Sequence, residues 1–99
     1  MPNFNLDVPH SLGRDAAIER LKTFMDKVRH RDDVSDLEES WNGNVQSFSF
    51  KTYGFKIEGA ATVEEDRVKL DGKLPLAAAP FRGKIEGSIR EGLEKTLQA

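Results

Sequence analysis

The fold of this chain is decided by residues 37–74, which read LEESWNGNVQSFSFKTYGFKIEGAATVEEDRVKLDGKL. Apolar or small residues alternate with polar ones along four runs of this segment, and short turn sequences separate the runs. Because successive side chains of a strand point to opposite faces, this period of two collects the apolar residues on one face. The segment therefore predicts a four-stranded antiparallel meander with one dry face and one wet face.

The first turn of the meander is predicted at Asn42-Gly43. Both residue types tolerate the positive φ that a type I′ hairpin turn requires. A two-residue loop at this place would put Glu39 opposite Gln46 and Trp41 opposite Asn44.

Two further turns are predicted, a tight one at Tyr53-Gly54 and a four-residue loop at 64–67. These turns would pair apolar residues across neighbouring strands: Phe50 with Ile57, Phe48 with Gly59, Val63 with Val68, and Ala61 with Leu70. A slip of one residue would invert a whole strand, so the common face of these pairs supports the register.

A strand and a helix are predicted before the meander. Residues 3–9 alternate apolar and polar side chains, and Pro9 ends that strand. Ser11 is a candidate N-cap for the helix that follows, because its hydroxyl can accept a free amide hydrogen of the first turn. The apolar stripe of this helix consists of Ala17, Ile18, Leu21, Phe24, Met25 and Val28.

A second helix is predicted after the meander. Pro75 ends the last strand, and Pro80 suits the first turn of a helix. The apolar stripe of this helix consists of Phe81, Ile85, Ile89, Leu93 and Leu97. Gly83, Gly87 and Gly92 interrupt it, each at a cost of up to about 1 kcal/mol relative to alanine. Either these glycines allow close approach to the sheet or to a second subunit, or the helix is weak and depends on its packing.

The predicted order is β-α-β-β-β-β-α, an α+β fold in a single domain over residues 1–99. The sheet offers one dry face, so both helices are expected to cover that face. An antiparallel sheet around a C-terminal helix resembles the helix-grip architecture of START-like lipid-binding domains. This likeness concerns the fold and carries no function by itself.

Composition narrows the classes of function. The net charge of -2 and the pI near 5.7 argue against non-specific nucleic-acid binding. The chain has no cysteine, which excludes disulfides, thiol nucleophiles and thiolate metal sites. It also has no apolar run near the roughly 18 residues of a membrane span and no signal-peptide pattern. We therefore expect a cytoplasmic protein.

The two histidines do not predict a catalytic or metal centre. His10 lies between a strand and a helix start, where general-base chemistry is conceivable, but neither Ser11 nor Ser35 carries a nucleophile motif. His30 lies in a charged helix end, where a solvated ring is expected. We expect no enzyme activity, no metal and no cofactor.

Four segments carry a family resemblance: HSLGRDAA at 10–17, SDLEESWNGN at 35–44, GKLP at 72–75 and FRGKIE at 81–86. They are similar to the polyhydroxyalkanoic acid system family, small bacterial proteins named for an association with polyester-granule systems. The resemblance covers nearly the whole chain. It implies an accessory role near granules, through a hydrophobic polymer, an acyl chain or another granule protein, and it supplies no catalytic residues.

The dry face holds candidate ligand-binding residues. A cavity between the sheet and the second helix would be lined by Trp41, Phe48, Phe50, Ile57, Gly59, Ala61, Leu70, Phe81, Ile85 and Ile89. Three small residues leave a dent in this face: Gly59, Ala61 and Gly72. A ligand would occupy the dent, or Phe24, Phe81 or Ile85 would fill it. The alternative is a plain core, since protein interiors are close-packed.

Polar candidates lie on the same face. Glu39 and Gln46 are neighbours in the predicted register, close to Trp41. A buried, unpaired carboxylate is costly, so Glu39 is either open to water at the end of the sheet or paired with an arginine. The arginines considered as partners are Arg14, Arg82 and Arg90.

The first functional hypothesis is a non-enzymatic accessory protein of the polyhydroxyalkanoate granule system that binds a hydrophobic polymer, an acyl ligand or a granule protein. The alternative is a structural or regulatory protein-interaction module without a small-molecule ligand, homodimeric through the exposed sheet edge at 37–41. Neither hypothesis includes a nucleic-acid partner.

Overall fold

A computed structural model describes residues 3–98, and this part of the chain folds in the predicted order. The strands are β1 (Asn3–Pro9), β2 (Ser35–Asn42), β3 (Val45–Thr52), β4 (Phe55–Val63) and β5 (Arg67–Lys73). The helices are α1 (Arg14–Arg29) and α2 (Arg82–Thr96), and a 3-10 helix (Leu76–Phe81) precedes α2. The α+β class and the covering of one sheet face by both helices are confirmed. Neither α1 nor α2 is long and apolar enough to cross a membrane.

The five strands form one antiparallel sheet in the order β1-β5-β4-β3-β2. The four consecutive strands of the meander are confirmed as neighbours. The sequence did not predict which strand of the meander β1 would pair with. It lies beside β5, with Leu6 opposite Leu70, so β1 and β2 form the two edges of the sheet.

Two of the three predicted turns set the register as expected. Phe48 lies opposite Gly59, and Ala61 lies opposite Leu70. Tyr53 and Gly54 both have positive φ, 53° and 79°, as a type I′ turn requires.

The register predicted between β2 and β3 was wrong by two residues. The loop consists of Gly43 and Asn44, so Trp41 lies opposite Gln46 and Glu39 lies opposite Phe48. Gly43 has a φ of 62° at the first loop position, which fits a type II′ turn. A shift of two residues keeps every side chain on its predicted face.

The start of α1 also differs from the prediction. Gly13 is the N-cap residue, with a φ of 83° and no side-chain cap hydrogen bond, so the assignment of Ser11 as the N-cap was wrong. Gly13 supplies its carbonyl oxygen to the amide of Ala17 and begins the helix in this way.

Both helices bury an apolar stripe on the sheet. The buried side chains of this core include Ala17, Leu21 and Met25 of α1, and Ile85 and Leu93 of α2.

The glycines of α2 divide into two kinds. A Cβ on Gly92 would lie 2.9 Å from the Phe24 ring, whereas Gly83 and Gly87 have nothing within 4 Å of that position. Close packing therefore explains Gly92 alone, and its neighbour is α1 rather than the sheet.

Candidate functional site

Two of the three small residues that predicted a dent on the dry face, Gly59 and Gly72, are covered by the sheet itself. A Cβ on Gly59 would lie 2.8 Å from the ring of Phe48, and a Cβ on Gly72 would collide with the ring of Phe4. Each phenylalanine comes from the strand next to the glycine that it covers. The expectation that a ligand, or Phe24, Phe81 or Ile85, would fill the dent was wrong at these two glycines.

A narrow crevice remains between α1 and α2. It consists of two cavities of about 70 Å³ and about 80 Å³. The two cavities share four lining residues: Phe24, Val28, Phe50 and Ile89. Sites for drug-sized ligands occupy about 300–1,000 Å³, so a large ligand would need the helices to move apart.

The predicted ligand-binding residues are spread over several places. Those that line the inner cavity are Gln46, Phe48, Phe50, Ala61, Leu70 and Ile89. Ile85 lines the outer cavity, Ile57 is buried in the core, and Gly59 lies under Phe48. Trp41 lies on the edge strand β2, and Phe81 is 45% exposed. Their role as ligand contacts stays a prediction.

The Glu39 carboxylate is paired with an arginine, which was one of the two predicted alternatives. Arg29 Nη2 donates to Glu39 Oε1 over 2.9 Å, and Gln46 Nε2 donates to Glu39 Oε2 over 2.8 Å. The arginines expected to provide this contact were the wrong ones: Arg14, Arg82 and Arg90. The end of α1 lies over β2, so the last residue of that helix reaches the carboxylate, and Arg14 is at its opposite end.

Trp41 has an unusual environment on the same strand. Its Nε1 atom is buried and has no hydrogen-bond partner among the described residues. Lys22 Nζ lies 5.7 Å from the centre of its ring, within the range of a cation–π contact. The indole is therefore held mainly by packing and by Lys22.

One end of the molecule exposes several apolar side chains. Among the described residues, the exposed large apolar side chains are Leu76, Tyr53 and Phe81, at 76%, 47% and 45%. The ring of Phe81 packs against that of Phe55 with 5.9 Å between centres. We call Tyr53, Phe55, Leu76 and Phe81 the apolar tip.

Two lysines lie at the rim of the apolar tip. Lys84 Nζ is 5.2 Å from the centre of the Tyr53 ring, and Lys56 follows Phe55 on the opposite, wet face of β4. Within residues 3–98, neither lysine has a carboxylate within 4.0 Å. The sequence offered a signal for Leu76, which belongs to no apolar stripe, but none that would place it at the same end of the sheet as Tyr53.

His10 has the structural role that the sequence favoured. Its Nδ1 accepts the amide hydrogen of Leu12 over 3.2 Å, so the hydrogen is on Nε2, which donates to the Glu64 carbonyl over 3.1 Å. Both ring nitrogens are therefore occupied. No group of three or more metal-ligating side chains was found among the described residues.

Comparison with known proteins identifies a family. A family model described as "putative polyhydroxyalkanoic acid system protein" matches residues 5–97. No curated protein and no solved structure matches the chain. The family resemblance of the four sequence segments is confirmed, whereas the likeness to START-like domains stays a prediction.

Proposed function

This chain belongs to the polyhydroxyalkanoic acid system family, and from that premise we propose that it is an accessory protein that adheres to polyester granules through the apolar tip. The exposure of Leu76, Phe81 and Tyr53 at one end of the molecule carries this proposal. Exposed apolar groups that cluster on a soluble protein often mark a contact with a partner or an apolar surface. In this proposal the protein works in the cytoplasm, at the granule surface.

On the helix-covered side of the sheet, a surface contact at the tip fits better than a preformed cavity. The glycines of the dry face are covered by Phe4 and Phe48, and the crevice between the helices is small. A projecting tip can press against an extended polymer surface without enclosing a ligand. Removing apolar area from water contributes about 25 cal/mol per Å², so a few side chains give weak, reversible adhesion.

The lysines at the rim suit a polyester. Each ammonium group offers three hydrogen-bond donors, and ester carbonyl oxygens are acceptors. Lys56 and Lys84 can cover apolar surface with their aliphatic stems while their charged ends stay in water or meet these carbonyls. This arrangement would orient the tip towards the polymer.

Co-sedimentation with isolated polyhydroxyalkanoate granules tests the proposal. We expect the double variant Leu76→Asp and Phe81→Asp to bind at least tenfold less protein per granule mass than the unchanged chain. The matched control carries Ser11→Asp and Asn42→Asp, two exposed positions at the other end of the sheet with the same change of charge. Circular dichroism of each variant checks that it is folded.

Equal sedimentation of the tip variant and the control variant would contradict the proposal, as would no enrichment of the unchanged chain over a soluble protein. The alternative function, a module that dimerises through the β2 edge, is opposed by charge. Asp36 and Glu39 are paired with Lys51 and Arg29, but antiparallel self-pairing of β2 would still bring the Glu38 carboxylates of two copies onto one short ladder, and like charges across strands are unfavourable.

A further inference from the structure

The crevice between α1 and α2 changes in character along its length. Its inner cavity is lined by apolar side chains of both helices and the sheet, with Gln46 as the polar exception. The Gln46 amide nitrogen is already engaged with Glu39. This end of the crevice would therefore accept an aliphatic group and reject a charged one.

The outer cavity reaches the surface through a polar mouth. We define the mouth as Arg31, Asp33, Thr52, Tyr53 and Ser88, which line this cavity together with apolar residues. Arg31 Nε and Nη2 donate to the two carboxylate oxygens of Asp33 over 2.9 and 3.0 Å.

The charge balance at the mouth selects the kind of head group. The guanidinium of Arg31 is already paired with Asp33, and Lys84, which lies over the Tyr53 ring, does not line this cavity, so the lining of the mouth presents no net positive charge to an incoming carboxylate. Thr52, Tyr53 and Ser88 are the hydroxyl-bearing residues there, and a hydroxyl can donate to a carbonyl oxygen. A neutral group that accepts hydrogen bonds therefore fits, and an anion does not.

We propose that this crevice binds a short aliphatic acyl chain in the form of a neutral ester. The chain enters between Phe24, Val28 and Ile89, and the ester carbonyl stays at the mouth. An apolar cavity of about 150 Å³ holds a benzene-sized molecule. The two cavities, of about 80 Å³ and about 70 Å³, are each about half this size, so a short chain would occupy both by displacing the side chains that they share. The four residues shared by both cavities are each only partly buried, and an inserted chain would complete their cover.

This inference rests on the proposed function and makes it more specific. Tyr53 belongs both to the apolar tip and to the mouth, so the crevice opens where the protein would meet the polymer. A short alkyl group of a polyester unit at that surface lies beside the entrance. Binding in the crevice would add selectivity for chain length to adhesion by the tip.

Methyl NMR with ethyl butyrate as the probe tests the site. We expect saturable shifts of the Val28 and Ile89 methyl signals, while the Val8 methyl signals at the other end of the sheet stay in place. Sodium butyrate should bind at least tenfold more weakly, because its carboxylate would lose water while the Arg31 guanidinium is already paired with Asp33. The absence of saturable shifts with ethyl butyrate, or equal binding of both probes, would overturn the proposal.

A filled crevice provides the matched variant. Ile89→Phe adds volume inside the crevice and leaves the apolar tip unchanged, so we expect at least tenfold weaker binding of ethyl butyrate. Val28→Leu fills it from the opposite helix and replaces the first variant if that one does not fold. Unchanged ethyl butyrate binding in a folded filled variant would place the probe elsewhere and reject the site.

The two proposals can fail separately. Leu76→Asp lies outside the crevice and should retain ethyl butyrate binding while it weakens sedimentation with granules. Granule adhesion by a chain that does not bind ethyl butyrate would reject only the crevice. Binding of ethyl butyrate by a chain that does not adhere to granules would reject only the proposed function.

Discussion

The two ends of the sheet are completed in opposite ways. At one end, which we call the closed end, the His10 amide donates to the Asp66 carbonyl over 2.9 Å. The His10 ring also bridges the Glu64 carbonyl and the Leu12 amide, so one residue joins β1, the β4–β5 loop and the approach to α1. At the other end, the apolar tip leaves Leu76 largely exposed.

The closed end also fastens the last turn of α2. Arg20 Nη1 donates to the Thr96 and Gln98 carbonyl oxygens over 3.1 and 2.9 Å, which gives these carbonyls partners beyond the helix. The tip has apolar rings and two lysines in place of such a network. The polar groups of the closed end therefore find hydrogen-bond partners within the chain, whereas the exposed apolar side chains of the tip would be removed from water only by a surface outside the chain.

The largest expected change in the free energy of unfolding tests whether the two ends of the sheet differ only at the surface or also in the packing of the core. Phe4 lies in the tip half of the sheet and is 0% exposed. If the core under the tip is as well filled as the rest, Phe4→Ala should lower the free energy of unfolding by about 3–5 kcal/mol, measured by urea denaturation. A loss below about 1 kcal/mol would mean that this half of the core is loose.

The glycine beneath this ring provides a control for the same contact. Gly72→Ala forces a methyl group against Phe4 and should cost about 1–3 kcal/mol. In the Phe4→Ala chain that methyl group has room, so the second substitution should cost less than it does alone. Strictly additive losses would contradict the contact between these two residues.

The next effect concerns the closed end. His10→Ala removes two hydrogen bonds made by a partly buried ring, and we expect it to lower the free energy of unfolding by about 2 kcal/mol. His30→Ala is the matched control, because that ring is exposed and has one contact, to the Asp26 carbonyl, within its own helix. The control should lose under about 1 kcal/mol. Equal losses would show that His10 does not hold the closed end together.

Local rules predicted most of the fold, and the shifted register between β2 and β3 is an exception that coincides with non-local contacts. Gly43 can serve as the second residue of a type I′ turn or the first of a type II′ turn, so the sequence allows two registers of the same parity. The structure has the second register, with the type II′ turn, and in it Asn44 is hydrogen-bonded to Val63 of β4. The Asn44 Nδ2 atom donates to the Val63 carbonyl, and the Asn44 carbonyl accepts the Val63 amide hydrogen, both over 2.8 Å. Contacts with a third strand lie outside any two-strand rule.

The candidate sites were harder to predict because they depend on where elements end. Leu76 lies at the same end of the sheet as Tyr53 because β4 leads away from the hairpin turn and β5 returns to that end. The partner of Glu39 is Arg29 because the end of α1 lies over β2. Periodicity gives the face of a residue, but it does not give the position of that residue along the sheet.

A smaller change in the free energy of unfolding is expected from glycine substitutions in α2, with opposite signs in its two halves. Gly87→Ala places a methyl group in open space and should raise the free energy of unfolding by about 0.5–1 kcal/mol, since alanine favours the helix. Gly92→Ala, in the half near the closed end, is the control and should lower it, because its methyl group meets Phe24. Thermal unfolding of both variants measures the contrast. A gain in both would show that α2 is not seated tightly on α1.

The smallest effect lies at the mouth of the crevice. The hydrogen bonds from Arg31 lower the pKa of Asp33, so this pair contributes stability above the unfolded pKa of Asp33 and loses it as the pH falls through the folded pKa. Both groups are exposed, so the change in stability is slight and carboxyl NMR titration is the better measure. We expect Arg31→Gln to raise the pKa of Asp33, while Arg67→Gln leaves it unchanged. An unchanged pKa in Arg31→Gln would mean that the guanidinium is free in solution, and a free guanidinium at the mouth would favour a carboxylate over an ester.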